Sequence, residues 1–107
     1  MLDLVASAVS TWPGVKSTTH WHFSDRSRVD GVDFYVGEEE LGHLHLDGSL
    51  HLATSPDVGR AMVASGRAHR FPYQRGWVCA DVDAIGAAAA IALFEDYQEL
   101  VTSAALA

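Results

Sequence analysis

Leu41-Gly42-His43-Leu44-His45-Leu46-Asp47-Gly48-Ser49-Leu50-His51-Leu52 sets leucines and histidines in alternate positions on either side of an Asp-Gly-Ser turn. Side chains on a strand point to opposite faces in turn, so this alternation separates the two residue types across a hairpin. A two-residue Asp47-Gly48 turn would set Leu46 opposite Ser49 and Leu44 opposite His51, mixing polar and apolar groups on both faces. A three-residue loop of Asp47, Gly48 and Ser49 pairs Leu46 with Leu50, His45 with His51 and Leu44 with Leu52. Burial of one face specifies register, so the second pairing is expected. Leucines then face a core, and His43, His45 and His51 share the other side.

The same period of two extends upstream. Val15, Ser17, Thr19, Trp21 and Phe23 alternate with Lys16, Thr18, His20 and His22, and Val32, Phe34 and Val36 alternate with Asp33 and Tyr35. Asp25 to Gly31 reads as a polar turn, and Gly37 to Glu40 as a charged, solvated one. Downstream, Ser55-Pro56-Asp57 opens a helix that Gly66 closes. Arg67 to Arg75 is a basic connector. Gly76 to Val82 is a last strand, and Asp83 caps a final helix running to about Ser103, with Ile85, Ala89, Leu93, Tyr97 and Leu100 inward and Ile91 and Phe94 off that stripe. At the N-terminus, Leu2, Val5, Val9 and Trp12 fall at helical spacing before Pro13-Gly14 ends the helix. The order α-β-β-β-β-α-β-α predicts a single α+β domain over residues 1–107, a two-layer sandwich. Its mainly antiparallel sheet has about five strands, with the helices on one face.

Composition narrows the function. Seven Lys and Arg against fourteen Asp and Glu give a net charge of −7, a field that repels phosphate backbones and disfavours nucleic-acid binding. A single cysteine, Cys79, excludes an intrachain disulfide and a multi-cysteine zinc site. No apolar run is long enough to span a bilayer and no secretory pattern opens the chain, so a cytoplasmic protein without membrane contact is expected. Six histidines in 107 residues stand out.

If helices cover the leucine side, the opposite face carries His20, His22, Asp33, Tyr35, His43, His45, His51, Trp77 and Cys79. Such a face suits several uses. His43, His45 and His51 can converge on a divalent metal such as zinc, with His20, His22 or Asp33 in support, and a bound metal can activate water for hydrolysis. No other cofactor is implied. The same histidines can instead pack in a subunit interface with Tyr35 and Trp77, making the protein a pH-sensitive homodimer; the small residues Gly86 to Ala90 let the last helix pack closely on its own sheet, while Ile91 and Phe94, off its main stripe, offer a second surface to another chain. A small-molecule pocket can form between this face and Phe71-Pro72-Tyr73, with His20, His22, Tyr35, His43, His45, His51 and Trp77 as its contacts. Arg67, Arg70 and Arg75 would either favour an anion there or merely balance an acidic chain. Cys79 beside a histidine is either a nucleophile or a small buried filler. The reading that covers most of this is a ligand-binding or interaction module that self-associates, with no assigned reaction. The alternative is a metal-dependent, hydrolase-like enzyme.

The run Glu40-Leu41-Gly42-His43-Leu44-His45, followed by Asp47-Gly48 and Leu50, resembles the small luciferase-family, or luciferase-like, domain proteins. The likeness extends to Trp12-Pro13-Gly14-Val15, His20 and Phe34, and downstream to Pro56, Val58, Val63, Gly66-Arg67-Ala68 and Gly76-Trp77-Val78. It implies no activity, because that family has no established one. Nor does it imply flavin-dependent light emission: those luciferases are TIM barrels, which need about 250 residues.

Overall fold

A computed structural model describes residues 1–106. The period-two segments form β1 (Val15–Trp21), β2 (Val29–Val36), β3 (Glu39–His45) and β4 (Ser49–Leu52), preceded by helix α1 (Leu2–Ser10). Then come α2 (Pro56–Ala64), β5 (His69–Arg70), β6 (Val78–Asp81), α3 (Val82–Ile85) and α4 (Ala87–Leu106). All neighbouring strands are antiparallel, in the order β1-β2-β3-β4-β6-β5. The α+β architecture is as expected, but the sheet has six strands, not five. The additional one, β5, lies in the basic connector, where His69 and Arg70 pair with Cys79 and Val78. Two residues are too short a run to show a period.

The central hairpin keeps its predicted faces and changes its register. His43, not His45, lies opposite His51, and Leu44 lies opposite Leu50. The loop is still three residues long, but it is Leu46-Asp47-Gly48. Gly48 takes φ +97° at its last position, a left-handed conformation that glycine adopts without steric cost. Asp47 Oδ1 accepts from Ser49 N at 2.8 Å, closing the turn. The shift is two residues, so Leu44, Leu50, Leu52 and the three histidines stay on their expected faces; Leu46, expected in the core, leaves the strand and is exposed.

Leu41, Leu44, Leu50 and Leu52 of the sheet meet Val5 and Val9 of α1 and Leu93 and Phe94 of α4 in one core. Phe34 and Phe94 pack edge to face with ring centroids 5.3 Å apart, a favoured aromatic arrangement. The final helix is two pieces. Asp81, not Asp83, caps the first, its side chain accepting from Asp83 N. Gly86, at φ +88°, separates α3 from α4. Along α4, Leu93 and Tyr97 are buried as expected, Ala90 and Phe94 are buried beside them, and Leu100 is half exposed. Phe94 is therefore not available to a second chain. Ser55 caps α2 as predicted, accepting from Val58 N.

Candidate functional site

Residues paired across antiparallel strands share a face, so the register can be read straight across the sheet. One row runs Thr18, Asp33, His43, His51, Cys79, His69. The adjacent row runs His20, Gly31, His45. Gly31 brings no side chain between His20 and His45, whose rings meet edge to face at 4.8 Å. His20 stacks on His43 at 4.2 Å. Four of the seven predicted contact residues, His20, His43, His45 and His51, thus form one cluster on the face opposite the helices.

Each of three rings has a carboxylate on its Nδ1 side. His20 Nδ1 lies 2.7 Å from Asp33, His43 Nδ1 3.0 Å from Glu40, and His45 Nδ1 2.8 Å from Asp30. A carboxylate accepts, so each Nδ1 donates and the neutral ring keeps its lone pair on Nε2. Two of those lone pairs point at one atom: His51 Nδ1 is 3.0 Å from His43 Nε2 and 3.2 Å from His45 Nε2. The His51 pKa is pushed down to about 4, first by burial and then by His43 and His45. The cluster is sheltered, with the His43 side chain 11% exposed and that of His45 18%.

Two of the three carboxylates reach this face through irregularities in the strands. Glu40 and His43 are three residues apart, which on a regular strand puts them on opposite faces. A bulge at Leu41-Gly42 adds one residue to β3, so Phe34 pairs with Gly42 while Tyr35 pairs with Glu40. Leu41 then drops into the core and Glu40 swings to the histidine side. A second irregularity lets His20 pair with Gly31 and Trp21 with Val29, skipping Asp30 and turning it toward His45. Bulges commonly re-aim a side chain in this way. Both need glycine. Gly31 and Gly42 have φ of +148° and +151°, and a Cβ at either would lie 1.7 Å from Leu44 O or 2.0 Å from His51 O.

The remaining predicted residues divide. Trp77 flanks the cluster, its ring 5.9 Å from His43. Tyr35 pairs with Glu40, and its phenol pKa is raised by burial and by Glu40 and Asp33. His22 lies beyond the end of β1, bonded to Ser24 and stacked on Phe23, apart from the cluster. Cys79 lies between His51 and His69, but burial raises its thiol pKa, the wrong direction for a nucleophile. Asp30 and Glu40 are the residues that sequence reasoning missed; Phe71, expected beside this face, lies 4.3 Å from the His51 ring. A glycine inside a strand pattern, at Gly31 and at Gly42, was the available sign of a bulge for the two acids.

Chemically, the cluster offers metal-ligand atoms at close range. His20, His43 and His45 each supply one within 4.8 Å of the others, as do Asp33, Glu40 and His43. A family model described as the Luciferase domain matches residues 38–92, just over half of the chain. The protein belongs to the Luciferase domain family. The matched segment of this luciferase-domain chain begins just before the β3 bulge and includes Glu40, His43, His45, His51 and Trp77; His20, Asp30 and Asp33 lie upstream of it. No curated protein and no solved structure matches the chain. Among the described residues of this luciferase domain, no helix is long and apolar enough to cross a membrane.

Proposed function

We propose that this luciferase domain is a binding module for a divalent transition metal such as zinc, held by His43 Nε2, His45 Nε2 and His51 Nδ1. The observation that carries the reading is the set of contacts at His51 Nδ1. That nitrogen can donate one proton, to one of its two neighbours; in a neutral cluster the other contact sets lone pair against lone pair. A cation between the three nitrogens removes the conflict. The two spacings at His51 suit it: zinc bonded to nitrogen at about 2.0–2.1 Å in a tetrahedron separates its ligand atoms by about 3.3 Å, and His43 Nε2 and His45 Nε2 lie 3.0 and 3.2 Å from His51 Nδ1. Glu40 on His43 Nδ1 and Asp30 on His45 Nδ1 hold two of the three rings in orientation, as carboxylates do around bound metals generally. Asp30, Asp33 and Glu40 also supply the negative charge that a divalent ion balances.

The test is a zinc titration against a chromophoric chelator. One zinc per chain, lost with His51→Ala while the thermal unfolding transition survives, supports the reading. An unchanged stoichiometry in His51→Ala, or no zinc retained by the wild type, refutes it. In the second case protons shared among the rings resolve the conflict instead.

Three nitrogen ligands leave a fourth corner for water, the arrangement of catalytic rather than closed zinc sites. Metal-dependent hydrolysis is the second reading, supported by that donor set and by the Phe71 and Trp77 rings beside it. Chelator-sensitive cleavage of an activated ester supports it, and zinc-loaded protein that leaves the ester intact refutes it. Self-association belongs to the same proposal. Trp21, Phe23 and Val29 are exposed at one end of edge strand β1, and an exposed apolar edge is a ready template for a second copy. Sedimentation should give a dimer that Trp21→Ala dissociates; a monomeric wild type refutes it.

A further inference from the structure

A second concavity, separate from the histidine triangle, lies between α2 and the β5–β6 end of the sheet and has a volume of about 480 Å³. Its apolar wall includes Val63, Trp77 and Val78, and Arg60, Arg70 and Arg75 line it as well. The chain has seven Lys and Arg in all and a net charge of −7, so three of its few cations converge on one cleft. Arg60 is paired with Asp57. Among the described residues, neither Arg70 nor Arg75 has a carboxylate within 4.0 Å. Balancing an acidic chain would set these arginines beside acids, and two of them are not.

The walls are also fixed in place. Gly59 of α2 lies so close to the loop before β6 that a Cβ there would be 2.4 Å from Gly76 O. The Thr54 hydroxyl donates to that same carbonyl at 2.6 Å. A ligand therefore meets a cleft that is already formed, of a size typical for small-molecule sites, about 300–1,000 Å³. Guanidinium groups match carboxylate and phosphate oxygens with paired donors, while Val63, Val78 and the Trp77 ring exclude water from an apolar body.

The geometry points to a binding site for a small amphipathic anion, an apolar chain or ring bearing one carboxylate or phosphate. Its acid group pairs with Arg70 and Arg75, and its body lies along Trp77. This site is independent of the metal: Trp77 borders both, but no ligand atom of the triangle lines the cleft.

The experiment is ¹H–¹⁵N correlation NMR of the full chain titrated with octanoate, octyl phosphate, octanol and inorganic phosphate. We expect octanoate or octyl phosphate to shift the Gly59 and Gly76 amides and the Trp77 indole N–H saturably, the tighter of the two identifying the acid group. Octanol should bind at least about tenfold more weakly, and Arg70→Gln with Arg75→Gln should weaken the anion by about the same factor, one lost charge-assisted contact being enough for that. Both arginines are exposed, so resonances outside the cleft should stay in place and report an intact fold. Saturation by neither amphiphile overturns the proposal. So does octanol or inorganic phosphate binding as tightly as the amphiphiles, or a double variant that binds like the wild type.

Discussion

Gly42→Ala tests the bulge that turns Glu40 toward His43. The alanine Cβ would lie 2.0 Å from His51 O, against an ordinary contact of at least 3.4 Å. Both are backbone-anchored, so β3 and β4 must part where Gly42 pairs with Leu52. Holding a non-glycine residue at φ +151° adds about 1–3 kcal/mol of strain. Loosened ladder bonds add about 0.5–1.5 kcal/mol each. A loss of at least about 3 kcal/mol follows, a large part of the roughly 5–15 kcal/mol that holds a domain of this size. In urea the unfolding midpoint should fall by about 1–3 M. Gly66→Ala is the control: its φ is +78°, but a Cβ there meets nothing within 4 Å, so it carries strain without collision. If Gly42→Ala unfolds at the same urea concentration as Gly66→Ala, the close approach of the strands is not what demands glycine.

The carboxylates lead to a second expectation. Glu40→Ala and Asp30→Ala should each lower zinc affinity by about 10–100-fold, the usual effect of removing a group that orients a metal-bound histidine; Glu39→Ala, checked in the same competition assay, should leave it unchanged. Tyr97→Phe removes the hydrogen bond from the phenol to Ala53 O, 2.5 Å long, and should cost about 0.5–1.5 kcal/mol in a denaturant titration. Cys79 should react with iodoacetamide more slowly at pH 7.5 than a free thiol, because burial raises its pKa and keeps it protonated; mass spectrometry of timed samples reads the rate.

The sequence carried the faces of the sheet more clearly than its connections. Leucine and histidine alternate around the Asp47-Gly48 turn, and only one assignment buries the leucines. The register escaped because a slip of two residues preserves every face, so hydrophobic pattern could not distinguish His45 from His43 as the partner of His51. What decided it was the conformation of Gly48, a local property of the loop. Asp30 and Glu40 escaped for a different reason. Strict alternation assigns them to the core side or to turns, and only the inserted residues at Asp30 and Leu41 bring them round. Gly31 and Gly42 marked both places, but a glycine beside an acid also reads as a turn. The final helix shows the same limit. Its apolar residues have a helical period, but the buried side of α4 takes in Ala90 and Phe94 beside Leu93 and Tyr97 and leaves Leu100 half exposed, a rotation that a one-residue-wide stripe does not resolve.

Zinc-edge X-ray absorption on protein loaded with one equivalent of zinc reads the coordination shell of the proposed metal directly. Three imidazole nitrogens at about 2.0–2.1 Å and one further light atom are expected. A sulfur at about 2.3 Å would place the zinc on Cys79, and a shell of six oxygens would place it on surface carboxylates. Either result would contradict the site.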